Sequence, residues 1–163
     1  MITANYQRAR ETAKKLLEQF SIHEPIINVF EIAERIGLKL RYFVPHDNLV
    51  EVSGFLDPRS KTIFVNSEDA PQRQIFTVAH ELGHYVLQHP ADAYGVLLRL
   101  ATPIDKDPLE QEANCFAASL LVPEHMLKEI VKKYPSLMKD HKALAQFFGV
   151  SPVVIKYRFR CKD

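Results

Sequence analysis

His80 and His84 stand four residues apart, with Glu81 directly after the first histidine, in the run His80-Glu81-Leu82-Gly83-His84. On a helix, residues four apart leave the same face one turn apart, so the two imidazoles can take two corners of a zinc tetrahedron. Glu81 then points about a quarter turn away. From there it can reach a water on the ion without ligating the ion itself. Zinc lowers the pKa of such a water towards ~7, and Glu81 can accept its proton during attack on a carbonyl, then hand it to the leaving amine. The surrounding segment is strongly apolar, where unpaired imidazoles and a carboxylate are costly to bury. Gly83 in mid-helix costs roughly 1 kcal/mol against Ala, which points to close approach of another element.

A catalytic zinc needs a third protein ligand and an open fourth position. The extended motif with a third histidine requires His where this chain has Pro90, and His89 falls one residue early, on a different face. His89 is therefore read as structural or exposed. The better source is the segment Leu109-Glu110-Gln111-Glu112-Ala113-Asn114, where two carboxylates open an otherwise apolar helix. Acidic residues favour helix N-termini through the macrodipole, and one of the pair is assigned to that role. Glu112 is preferred as the ligand and Glu110 held in reserve, since helical phase by itself does not separate them. Tyr85, Tyr94 and His125 are candidates for stabilising an oxyanion. Cys115, amid Ala and Phe, reads as a small core residue.

The elements that position these groups follow from periodicity. Ala9, Ala13, Leu16, Leu17 and Phe20 give an amphipathic helix over roughly Tyr6 to Phe20. Val29, Ile32, Ala33 and Ile36 share the face of a short helix that Gly37 ends. Leu38 to Val44 alternates as a strand, and Val52 to Leu56 and Lys61 to Val65 flank the turn Asp57-Pro58-Arg59-Ser60 as a hairpin. The central helix runs from about Gln72 to Gln88 behind Asp69-Ala70-Pro71, a candidate N-cap with Pro early in the first turn. Residues 91–108 read as a loop, Leu109 to Val122 as a helix stopped before Pro123, and Glu124 to Tyr134 as a further short helix.

The combination H-E-L-G-H followed by Glu110-x-Glu112-Ala113-Asn114-x-Phe116-Ala117-Ala118-x-Leu120-Leu121-x-Pro123 resembles the ImmA/IrrE family of zinc metallopeptidases. Ser53-Gly54-Phe55 and Ile63-Phe64-Val65-Asn66 in the hairpin are similar to the family's pattern too. Three strands close in sequence suggest a three-stranded antiparallel sheet packed on helices, with the central HExxH helix and a helical C-terminal part, and the resemblance implies a compact α+β, gluzincin-like fold. It also implies one zinc held by His80, His84 and a Glu, with Glu81 as the catalytic acid and base. Family members typically cleave helix-turn-helix repressors, often from a neighbouring gene, which implies a repressor-like protein substrate and a role in transcription regulation.

Bulk properties agree with that picture. With 163 residues, 47% of them hydrophobic, the chain suits one compact unit with a sizeable core. The expected organisation is a zincin-like domain over 1–135 and a helix-turn-helix-like extension over 136–163 packed on the same unit. The net charge of +1 offers no electrostatic case for bulk nucleic-acid or membrane attraction. Two widely separated cysteines, and a start without the pattern of a signal peptide, lead to the expectation of a cytoplasmic protein. The tail carries the rival reading. Lys142 to Ser151 resembles the start of a helix-turn-helix, and Lys156, Arg158 and Arg160 could face phosphates in a DNA-binding regulator with a structural or sensory zinc. The apolar Val153, Val154, Ile155, Tyr157 and Phe159 argue instead for a helix packed on the core.

Overall fold

In the computed structural model, which describes residues 3–46, 51–90, 97–98 and 107–161, the first two helices begin and end at capping residues. Helix α1 (Tyr6–Gln19) starts at Asn5, whose side chain accepts from the Arg8 N–H, and it buries Ala9, Ala13, Leu16 and Leu17. Helix α2 (Val29–Ile36) starts at Asn28 and ends at Gly37, whose φ of +98° is the left-handed conformation that glycine adopts without strain.

The sheet has four strands in the order β1-β3-β2-β4: β1 (Lys39–Phe43), β2 (Val52–Asp57), β3 (Thr62–Asn66) and β4 (Leu97–Leu98). β2 and β3 form the antiparallel hairpin expected from the turn at Pro58, with Phe55 opposite Phe64. Asp57 shapes that turn, accepting from the Arg59 N–H and the Ser60 hydroxyl. β1, however, runs parallel to β3, with Leu40 level with Ile63 and Tyr42 with Val65. The sheet is therefore mixed, not purely antiparallel. Alternation marks β1 as a strand but carries no direction; its direction follows from its place beyond β3, with the whole hairpin traversed before β3 is reached. β4, antiparallel to β2, lies inside the segment read from sequence as loop.

Helix α3 (Pro71–Val86) carries both motif histidines and packs against β2, β3 and α4 (Pro108–Leu121). Its N-cap is Ala70, with no side-chain cap bond, and Pro71 stands at the first helical position. Asp69 is thus not the cap. The Gln74 side chain reaches back instead and donates to the Asp69 carbonyl at 2.9 Å. Every residue from Phe76 to His84 is buried, so the helix has no solvent-facing stripe in its second half.

Two glycines make the close packing around α3 attainable. A Cβ on Gly83 would meet Phe116 Cδ1 of α4 at 2.8 Å and the Ala113 carbonyl oxygen at 3.3 Å. One on Gly54 would meet Thr77 Cγ2 at 2.4 Å and the Phe64 carbonyl oxygen at 2.5 Å, where β2 crosses α3. Phe116 is fully buried and cannot retreat. Gly83→Ala is therefore expected to destabilise despite the gain in helix propensity, since overpacking costs about 1–3 kcal/mol against the ~1 kcal/mol gained. Denaturant unfolding checks this; a variant more stable than the parent would mean that α4 can move away from α3.

The remaining helices close the other side of α4. These are α5 (Glu124–Lys133), a 3₁₀ turn (Pro135–Lys139), α6 (His141–Phe148) and α7 (Pro152–Arg160). α7 packs on α4 and α6 and buries Val154 and Ile155. Arg158, which the tail's composition offered as a phosphate contact, is 4% exposed. Its Nε donates to the Val122 carbonyl at the end of α4, 2.9 Å away. An arginine spent in this way is a tether between helices, not a free cation for a DNA backbone.

Candidate metal centre

Three donors converge where α3 passes the start of α4. His80 Nε2 and His84 Nε2 lie 3.1 Å apart. Glu110 Oε2 is 3.1 Å from His80 Nε2, and Glu110 Oε1 is 3.3 Å from His84 Nε2. Donors around one tetrahedral zinc, each about 2.0–2.1 Å from it, are themselves roughly 3.3 Å apart. The spacing thus fits one small cation, and two neutral imidazoles with a carboxylate are a donor set zinc accepts. Among the described residues, His80, His84 and Glu110 are the cluster able to hold a metal.

Local structure explains why Glu110 arrives there. Asp107 caps α4 by accepting from the Leu109 N–H, and Pro108 takes the first helical position, so Glu110 sits in the first turn. Its carboxylate meets the imidazoles at the electropositive end of the helix. Burial opposes its ionisation, but the hydrogen bonds from His80 and His84 hold the carboxyl well below the usual carboxylate range.

Glu112, preferred over Glu110 from the sequence, is not brought to the cluster. A residue two positions along a helix is turned by about 200°, so Glu112 faces α1 when Glu110 faces α3. Its Oε1 accepts the Asn5 backbone N–H at 2.8 Å, and its Oε2 lies 3.2 Å from His89 Nε2. His89, set aside because its register was wrong for a metal, is 4% exposed, and its Nδ1 lies 2.9 Å from His84 Nδ1. On the first histidine, Asn114 Oδ1 lies 2.9 Å from His80 Nδ1. Neither His89 nor Asn114 was picked out as part of the site from sequence.

Glu81 is 1% exposed, and neither carboxyl oxygen has a hydrogen-bond partner among the described residues. Burial pushes its pKa up to about 8; His84 pulls the other way, Glu110 adds to the rise, and the Leu56 N–H favours the anion without reaching hydrogen-bond geometry. A buried carboxyl with no partner is rare in folded proteins and marks a group kept ready for something the chain does not supply. Of the groups suggested for an oxyanion, Tyr85 is half-buried and packs on the core. His125 is exposed on α5, beyond the opposite end of α4 from Glu110. Tyr94 lies outside the described residues.

Comparison with known proteins places the chain among metallopeptidases. The chain is 29% identical to the metallopeptidase ImmA of Bacillus subtilis, over 80% of this chain and 74% of that protein. It is 34% identical to the radiation response metalloprotease IrrE of Deinococcus radiodurans over 50% of this chain, and that match takes in only 25% of the longer relative. A Mycobacterium tuberculosis transcriptional regulator shares the fold with a TM-score of 0.63 at 15% identity, covering 93% of this chain and 46% of that one. The model of the IrrE N-terminal-like peptidase domain matches residues 27–160, a span that takes in His80, Glu81, His84 and Glu110, and the chain belongs to that family of metallopeptidases.

Proposed function

We propose that this metallopeptidase is a zinc-dependent endopeptidase that cleaves a helix-turn-helix repressor and so switches on the genes the repressor holds silent. The observation that carries the chemistry is the convergence of three donors beside a buried, unpartnered Glu81. His80, His84 and Glu110 hold the ion. When bound, zinc polarises a scissile carbonyl and acidifies water, supplying Lewis-acid chemistry that no side chain here provides. Glu81 holds and moves the protons: as the carboxylate, the form a cation held beside it would favour, it takes one from the attacking water and returns it to the departing amine. With no hydrogen bond to a described residue to break, its carboxyl can turn toward either.

The substrate reading rests on the motif resemblance and on a relative named for a radiation response. Such a substrate sets the reaction in the cytoplasm. No helix among the described residues is long and apolar enough to cross a membrane, and the burial of Arg158 weakens the case for direct DNA binding by the tail. The test is incubation of the zinc-loaded protein with purified helix-turn-helix repressors encoded beside its gene, with fragments read by mass spectrometry. A chelator control is run alongside. Cleavage at one bond, abolished by chelation, is the expected result. Intact repressors in the presence of one bound zinc per chain would remove the substrate reading; failure to take up zinc at all would remove the zinc chemistry.

A further inference from the structure

Ligation uses one nitrogen of each imidazole, and the structure gives the other nitrogens partners of their own. Behind His80 stands Asn114, with Oδ1 2.9 Å from His80 Nδ1. Behind His84 stands His89, with Nδ1 2.9 Å from His84 Nδ1, and behind His89 stands Glu112, with Oε2 3.2 Å from His89 Nε2. The relay ends at the start of α1, where the Asn5 backbone N–H donates to Glu112 Oε1 at 2.8 Å and Arg8 Nη1 lies 3.9 Å from Oε2. Asn114, His89 and Glu112 are 7%, 4% and 4% exposed, so water does not compete freely for these bonds.

With a cation on both Nε2 atoms, the proton count along this chain has one consistent solution. An imidazole that turns the Nε2 lone pair to a cation carries its proton on Nδ1. For His80 that proton goes to an amide oxygen. For His84 it meets a ring nitrogen, which accepts only if His89 keeps Nδ1 bare. The His89 proton then sits on Nε2, where the Glu112 carboxylate receives it. Backbone geometry serves the same end. Gln88 adopts a φ of +55°, and the His89 N–H bonds the His84 carbonyl at 3.1 Å, so the chain turns back at the end of α3 and lays His89 over His84.

We propose that Asn114, and Glu112 acting through His89, are positioning residues that fix the Nδ1–H form of His80 and His84 and aim both Nε2 lone pairs at the cation. The inference rests on the zinc reading above. It gives the run Glu110-x-Glu112-x-Asn114 a division of labour: a ligand, then the acceptor that sets His84, then the acceptor that sets His80. Partners behind metal-bound histidines typically contribute 10–100-fold to metal affinity.

Zinc affinity by chelator competition, together with ¹⁵N NMR of the imidazoles in metal-free and zinc-loaded protein, tests this. The variants are Glu112→Gln, His89→Leu, His89→Asn and Asn114→Ala. In zinc-loaded wild type, His89 should carry its proton on Nε2, and His80 and His84 should carry theirs on Nδ1. The Asn5 N–H and His89 Nε2 meet different Glu112 oxygens, and Glu112→Gln turns one of these acceptors into an NH2 donor, so zinc binding should weaken by about 10–100-fold and the His89 nitrogen signals should move. His89→Leu and Asn114→Ala should show a similar loss. His89→Asn places an amide oxygen near the former Nδ1 and should recover most of the affinity that His89→Leu loses, a rescue that general loss of packing does not predict. Affinities within about 3-fold of wild type in Glu112→Gln and His89→Leu, with one zinc still bound, would overturn the proposal, as would a His89 protonated on Nδ1 in the zinc-loaded wild type. Should Glu112→Gln fail to fold, the wild-type spectra and the His89 pair decide. A wild type that binds no zinc would remove the metal reading, and this proposal with it.

Discussion

Glu81→Gln is expected to leave zinc in place while slowing peptide cleavage by about 10²–10⁴-fold, the range over which a positioned general base contributes. At 25 °C that is roughly 3–5 kcal/mol on the barrier. The substitution is nearly isosteric, and no hydrogen bond within the described residues is lost, because neither Glu81 oxygen makes one there. A carboxyl that is 1% exposed and unpartnered destabilises the fold, so the amide should leave the thermal midpoint of the metal-free protein unchanged or higher. The same residue would then be unfavourable for the fold and necessary for the reaction, the pattern expected of a group held for catalysis. Single-turnover cleavage, zinc per chain and a melting curve on the same sample check all three. A fully active variant would sink the role given to Glu81. Loss of zinc would mean that Glu81 helps to hold the ion.

How much of this was legible in the sequence depended on whether one element or two were involved. The His80–His84 spacing lies within one helix and reads directly, as does Gly37 at the end of α2. The choice between Glu110 and Glu112 depends on which way α4 faces, and that is set by contact with α3. A signal was present. Glu110, Ala113, Asn114 and Ala117 fall at i, i+3, i+4 and i+7, one stripe of a helix. Gly83 called for a close neighbour, which proves to be Phe116 and the Ala113 backbone, and Asn114 touches His80. Reading Gly83 and that stripe together would have favoured Glu110. His89 is structural, one of the two roles its register left open, but its contact with His84 was not legible, because it depends on the left-handed turn at Gln88. The direction of β1 was likewise hidden, since alternation reports faces and not neighbours.

Removing Glu110 and removing Glu112 should therefore have unlike consequences, even though the two carboxylates stand two residues apart on one helix. Glu110→Ala takes away one of three donors from a site whose Nε2 atoms are already 3.1 Å apart. What remains is a histidine pair, and the loss should exceed the 100-fold upper range for groups behind a ligand. Protein purified with stoichiometric zinc as wild type should then carry almost none as Glu110→Ala. Glu112→Ala keeps all three donors but loses the support behind His84 and the acceptor for the Asn5 N–H, so it should retain zinc at saturating concentration and release it sooner to a chelator. Thermal melting follows the same order. Zinc bound to the folded chain raises its stability with the logarithm of free zinc over the dissociation constant, about 2.7 kcal/mol at 100-fold excess. Added zinc should thus raise the midpoint of wild type clearly, of Glu112→Ala at higher zinc, and of Glu110→Ala hardly at all. The reverse order, with zinc lost from Glu112→Ala and kept by Glu110→Ala, would place the third ligand on the other carboxylate. It would also require the first turn of α4 to rotate by more than a quarter turn when the ion binds.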